Sequence, residues 1–533
     1  MSAVAWARRA AGWSATTVAA IAMLAVMGGV ALARGAERER GAEVSSAVPP
    51  VNERGWFKLV TPNFELFSNA RVAESRRLLR EVETFRQVVS GFLGLTNVQR
   101  RPALLFYFED DASFSTYKPL YEGKPRGLSG FHAEDPLDYA MALSRQEQSA
   151  TTMRVLFHEY THLLTTRQFR YAPIWANEGV AEVFSTFAGQ GDHFDLGVAL
   201  TNHVHYLQQN RVGPVARLLG VDLESKDYNE DERAGQFYAT SWLLAHYQLF
   251  GRRGFETNVM ARYAALSASM TNRVEAFRRA FGATPGEVDA ALKSYLKGGS
   301  YTIVRQTVPE LAVAKAKDAA LSPGELEYAL GRLLQLVNRR EEAKVRLRRA
   351  MSLATQDPRP REALALLAWR EGNAAELQTR VDEALRLGSG DPFLHYLAAE
   401  GRYQAIQRDQ LPAVARRKAL EAGRDLCQKA LDLDPLLATA HHLMGVYALA
   451  LNPRAPAVAE EHVRTALRVD PQLKQAQLTM ATLQAGQGRY EEARRLLAAL
   501  MAGPLSPELR ELVKRVAAEV ELHAPPKRAG SKP

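Results

Sequence analysis

From Trp56 to Leu143 the apolar positions alternate with polar ones or gather in short runs, and from there to about residue 297 they recur every three to four positions. Sheet therefore gives way to helix along this stretch. Trp56-Phe57-Lys58-Leu59-Val60 and Phe64-Glu65-Leu66-Phe67 flank Thr61-Pro62-Asn63 and predict a hairpin. Residues 71–93 carry helical spacing, and Leu104 to Phe108 is a short apolar strand. Gly127 to His132 and Tyr139 to Leu143, either side of Asp135-Pro136, predict a second hairpin. From about 320 the pattern becomes Ala/Leu/Arg-rich and helical, punctuated by Asp357-Pro358, Asp391-Pro392, Asp434-Pro435 and Asp470-Pro471, whose prolines are 34, 43 and 36 apart. Periods near 34 that end in Pro point to stacked helix–turn–helix units, because each helix pair can bury its apolar face only against a neighbour. A plain bundle of Ala/Leu-rich helices is the simpler alternative.

Composition narrows the class. The 533 residues allow two to four domains, and 47% apolar with 24% charged residues excludes both global disorder and a polytopic membrane protein. The net charge of +9 is spread over helical stretches beside Glu, with no basic run interleaved with aromatics, so no nucleic-acid partner is expected. The single cysteine, Cys427, excludes an intramolecular disulfide and a thiolate-cluster metal site. It lies three residues before Ala430, where a buried small hydrophobe is expected. Arg8 and Arg9 precede an apolar stretch over residues 13–33 that ends in Ala31-Leu32-Ala33 and meets a charged run from Arg34 to Arg40. This reads as a secretory signal cleaved after Ala33, or as an uncleaved membrane anchor over 13–33; both export the rest of the chain, to the periplasm or another extracytoplasmic space. The expected layout is a leader or anchor at 1–33, a linker at 34–54, an α+β domain at 55–310, a helical-repeat domain at 318–520 and a disordered tail at 521–533.

The chemistry concentrates in His158-Glu159-Tyr160-Thr161-His162, inside a predicted helix from about 150 to 165. Residues i and i+4 share a helix face, so the two imidazoles can converge on one metal ion while Glu159 stays within reach of a water to be activated. Chance produces such a His-Glu-x-x-His match on the order of one or two times per hundred chains of this composition. A second motif, Asn177-Glu178-Gly179-Val180-Ala181-Glu182, opens a helix after Pro173-Ile174-Trp175. A catalytic zinc site takes three protein ligands and keeps a fourth position open, and a carboxylate from a following helix supplies the missing ligand.

Together the two motifs resemble the gluzincin metallopeptidases, of both the thermolysin and aminopeptidase types, and most closely the peptidase-MA-like family, over roughly residues 55–300. The resemblance implies an α+β zincin-like metallopeptidase domain holding one Zn2+ per chain, with His158, His162 and Glu178 as zinc ligands and Glu159 as general base. It implies that Glu182, one turn beyond Glu178, orients the first histidine. Only 15 residues separate His162 from Glu178, fewer than in the thermolysin and aminopeptidase types, which leaves Glu182 as an alternative ligand. Gly235 to Trp242 resembles the downstream helix in which a Tyr faces the metal, and makes Tyr238 the candidate oxyanion donor, with an ordinary core tyrosine as the other reading. His132, His193, His203, His205 and His246 read as surface or core histidines. The strand at 127–132 is the expected edge for pairing with a substrate backbone.

The C-terminal part resembles tetratricopeptide repeats: Leu330, Gly331, Ala343, Leu347 and Ala350 match packing positions, and Ala430–Pro435 and Ala466–Pro471 reproduce the Ala-to-Pro spacing. Pro358 and Pro392 come three residues late, and 402–420 carries an insertion. About four irregular repeats are expected, forming an all-α domain with a protein partner on it. The combined expectation is an exported zinc peptidase, acting on polypeptides and more in the manner of an endopeptidase. The alternative is an envelope scaffold that binds protein through its repeats and carries a vestigial peptidase domain.

Overall fold

The computed structural model describes residues 55–524, apart from short stretches at 97–100, 122, 129, 146–149, 170–171, 191–192, 223–224, 230, 252–257, 271, 308–314 and 504. The leader or anchor, the linker and most of the tail lie outside the described residues. Among the described residues no helix is long and apolar enough to cross a membrane. The chain forms two compact units, which meet in sequence at Arg339 and Arg340.

The first unit is built on a six-stranded sheet. The expected hairpin forms from β1 (Phe57–Val60) and β2 (Phe64–Ser68), antiparallel with Leu59 opposite Leu66. Helix α1 (Val72–Leu93) then returns the chain so that β3 (Ala103–Phe108) lies parallel to β2. The second hairpin is β4 (Gly130–Glu134) and β5 (Tyr139–Ser144), with β5 parallel to β3 and β4 antiparallel to β5 at the end of the sheet. At the opposite end β6 (Lys317–Ala319) pairs antiparallel with β1, giving the order β6-β1-β2-β3-β5-β4. All six residues of β3 are buried, so its alternating side chains serve two faces. Leu105 and Tyr107 join the main core with α1, whereas Phe106 stacks on Phe67, centroids 5.6 Å apart.

The chain beyond β5 is helical. Those helices that build the site are α2 (Ala150–Phe169), α3 (Ile174–Ser185), α4 (Thr201–Asn210) and α5 (Asp231–His246). Helices at Asn258–Ser269, Arg273–Phe281 and Pro285–Gly298 complete the unit's core.

The first unit reaches further than the expected 310. Helix α6 (Pro323–Leu336), placed by sequence in the repeats, belongs to it. Its Arg332, fully buried, donates from Nε to Asp138 at 2.7 Å and from Nη2 to Asp135 at 2.8 Å. Its Glu325 pairs with Lys58 of β1 at 2.7 Å. The Asp135-Pro136 turn is thus pinned by a buried guanidinium, not merely closed by its own turn chemistry.

The second unit is all-α and tetratricopeptide-like. After a first helix at Arg340–Leu353, four helix pairs follow: Arg359–Glu371 with Ala374–Arg386, Pro392–Arg408 with Ala413–Leu433, Ala438–Leu451 with Ala457–Val469, and Lys474–Gly486 with Tyr490–Ala502. A last helix, Pro507–His523, runs into the region expected as tail. The irregular Asp-Pro spacing has a local cause. Asp434 and Asp470 follow the last residue of a helix, whereas Asp391 opens one, its carboxylate accepting from the amides of Phe393 and Leu394, with Pro392 in the first turn. Cys427 is buried, and burial, then the nearby Glu400, pushes its thiol pKa far up.

Candidate metal centre

The two faces of α2 separate packing from chemistry. Leu156, Phe157, Tyr160, Leu163 and Leu164 recur at helical spacing and are buried. Phe157 stacks on Phe85 of α1 with centroids 4.5 Å apart, and Tyr160 meets Phe64 of β2 at 5.3 Å. With that stripe fixed in the core, His158, Glu159 and His162 are turned the other way.

Helix α3 brings the carboxylates. Its sequence explains the glycine of the Asn-Glu-Gly motif: a Cβ on Gly179 would lie 2.4 Å from the backbone oxygen of Ser241 and 3.0 Å from the Cβ of Ala245. Backbone contact with α5 at this point requires a residue without a side chain. It also sets the height of Glu178, one residue earlier, above α2.

His158 Nε2 and His162 Nε2 are 3.2 Å apart, and Glu178 Oε2 lies 3.3 Å from the first and 3.7 Å from the second. Among the described residues these three make the one group of His, Cys, Asp or Glu donors close enough to share an ion, all within 4.8 Å of one another. Zinc bonds of about 2.0–2.1 Å in tetrahedral geometry would separate donor atoms by about 3.3 Å, so the spacing and the donor chemistry both fit that metal. Burial raises the pKa of Glu178, but hydrogen bonding with His158 and His162 outweighs it and brings the group to about 2. It is an anion at any neutral pH.

Around the three donors stand residues of two kinds. Glu182 Oε1 lies 3.4 Å from His158 Nδ1, on the ring nitrogen that does not face Glu178, and its Oε2 lies 3.2 Å from His203 Nε2 on α4. That is the place of a residue that orients the imidazole, and it puts Glu178 nearer the ligand position than Glu182. His203, read from sequence as a bystander, is therefore part of the site. So is His132 on β4, whose Nδ1 contacts Glu159 Oε2. Burial raises Glu159's pKa, but His132 and the two motif histidines more than offset this, and the net shift is downward. Of the remaining histidines, His205 is exposed, and His246 is buried between Tyr295 Oη and the carbonyl of Gly197, where desolvation lowers its pKa to about 4.

Tyr238 stands beside the centre but is not the tyrosine in contact with it. Tyr228 donates from its hydroxyl to Glu178 Oε1 at 3.2 Å, and Tyr238 lies against Tyr228 with ring centroids 6.1 Å apart. Nothing in the local sequence marks Tyr228, because it reaches Glu178 across 50 residues of chain.

No family model and no curated protein matches the chain. Similar solved structures include a thermophilic TPR protein of Thermus thermophilus, 19% identical over 37% of this chain and 99% of that one, TM-score 0.29. Another is PilF of Pseudomonas aeruginosa, 20% identical over 37% of this chain and 89% of that one, TM-score 0.28. A third is the Cut9–Hcn1 hetero-tetramer of the APC/C, 12% identical over 71% of each chain, TM-score 0.29.

Proposed function

We propose that the first unit is a zinc-dependent peptidase of gluzincin type, carried by an exported chain whose helical repeats bind a protein partner. The observation that supports the catalytic half is the convergence of His158, His162 and Glu178 with Glu159 beside them. When bound, zinc would supply Lewis acidity toward water and the scissile carbonyl, at a residual charge of +1 after one carboxylate ligand. The chain's own residues do the rest. Glu159 takes a proton from water and returns it to the leaving amine. Tyr238, with Tyr228 against it, supplies a neutral phenol for the developing oxyanion: burial, then the charge of Glu178, holds its pKa well above the ordinary value, so it keeps its proton. β4, the terminal strand of the sheet, offers its backbone to an extended polypeptide substrate.

A second reading, a protein-binding scaffold, rests on the second unit alone. Its helices from Pro392 to His523 share a hydrophobic core of their own, and two similar solved structures are described as TPR proteins, one of them, YrrB, with an unusual peptide-binding site. One experiment separates the two readings. Metal analysis of the full chain, together with cleavage of unfolded casein by wild type and Glu159→Gln, should give one zinc per chain in both proteins and hydrolysis only in wild type. A chain that captures a partner without zinc or turnover is the scaffold.

A further inference from the structure

His132 differs from the other imidazoles of the centre in both its element and its carboxylate. It lies on β4, opposite Met141 of β5, and its Nδ1 meets Glu159, not a residue placed to hold metal. Its ring lies nearly flat on Tyr139, centroids 5.6 Å apart with 13° between planes. The hydroxyl of Tyr139 in turn donates to the backbone oxygen of Glu159 at 2.9 Å. One hairpin therefore holds this residue at both ends, its carbonyl by Tyr139 and its carboxylate by His132.

A glutamate on a helix surface samples several rotamers, and only some of them aim the carboxylate at the ligand group. An ionised carboxylate can only accept hydrogen bonds, so the imidazole must donate, and the proton sits on Nδ1. Resting on the peptidase reading above, we propose that His132 is a positioning residue: it ties down Oε2 of Glu159 and so leaves Oε1 directed at the water whose proton it takes. The proposal differs from simple packing in one atom. A ring without nitrogen would keep the stack on Tyr139 and lose the tie.

The test uses the full chain with His132→Phe, which preserves the ring, and His132→Asn, whose side-chain amide NH2 can replace the Nδ1 donor. With casein-derived fluorogenic peptides as probe, His132→Phe should keep its zinc and its KM while kcat falls about 10–100-fold, the usual effect of removing a residue that orients a catalytic group. His132→Asn should restore most of that loss. A readout independent of turnover is the imidazole 15N spectrum of metal-free protein labelled at histidine. His132 should carry its proton on Nδ1, protected from water exchange, and the protection should disappear in Glu159→Ala. A proton on Nε2, an unchanged kcat in His132→Phe or failure of Asn to rescue would each overturn the positioning role while leaving the peptidase reading intact. A wild-type chain that holds no zinc and cleaves nothing overturns both. If His132→Phe does not fold, the spectrum of wild type against Glu159→Ala still decides.

Discussion

Glu178 and Glu182 are one helical turn apart on α3, yet they face different atoms of His158, Nε2 and Nδ1 respectively. Glu178→Gln should therefore abolish tight zinc binding, as His158→Ala and His162→Ala should, whereas Glu182→Gln should weaken it by about 10–100-fold; equilibrium dialysis with 65Zn measures both. Tyr228→Phe removes the hydroxyl held by Glu178 and should cost about 10-fold in the same assay. His158, Glu159, His162 and Glu178 were legible because covalent spacing on helices fixes which of them share a face. His132, His203 and Tyr228 were not, because strand, helix and loop packing brings them in and no local pattern records it. At the same scale in the second unit, Glu400 is buried, and desolvation raises its carboxyl to about 7 although the neighbouring Tyr396 and Trp369 act to lower it. A raised acid favours the fold when protonated, so this contribution is complete below the ordinary value of 4.5 and is lost as pH rises through about 7. The loss is on the order of 3 kcal/mol. Thermal midpoints of Glu400→Gln against wild type from pH 5 to 8 should show a flatter dependence for the variant.

On the level of whole elements, the first hairpin and α2 fall where apolar periodicity puts them, since each carries enough consecutive residues to express its period, whereas β4, expected at 127–132, forms at Gly130–Glu134. What periodicity does not carry is how closely two helices approach. Gly179 looks like a motif letter in the sequence; in the fold it is the point where α3 rests on the backbone of α5. Gly179→Ala should destabilise the first unit by about 1–3 kcal/mol, the usual cost of overpacking, and because α3 must lift, zinc affinity should fall with it. Calorimetry of metal-free protein reads the first effect and zinc titration the second. A variant that loses stability but binds zinc as tightly as wild type would show that Glu178 follows the helix less rigidly than the contact implies. The Asp-Pro pairs teach the same lesson: identical dipeptides end one helix and begin another, and only the side-chain hydrogen bonds of Asp391 reveal which.

For the molecule as a whole, the boundary between units was the least legible feature, because α6 has the composition of a repeat helix while its Glu325 and Arg332 are bonded to Lys58, Asp135 and Asp138 of the first unit. Truncation after Lys315 removes β6 and α6, and with them the partners of β1, Asp135 and Asp138. Such a fragment should be unfolded or aggregated, for it removes Arg332 from the Asp135 and Asp138 carboxylates and leaves Asp138 only the more distant Arg101, 3.8 Å away, a loss of about 3–5 kcal/mol by itself. Truncation after Arg339 should give a folded fragment that binds zinc like the full chain. Circular dichroism and metal content of the two fragments compare them directly. The pairing of β1 with β6 also orders events in time. A strand near residue 57 waits for one near residue 317, so the sheet stays open at one edge while some 260 residues of intervening chain are synthesised. During that interval the Asp135-Pro136 turn, and the hairpin that holds Glu159, lack their clamp. The hairpin beside the centre is thus clamped late, by α6, and a chain interrupted between Glu178 and α6 carries His158, His162 and Glu178 without that clamp.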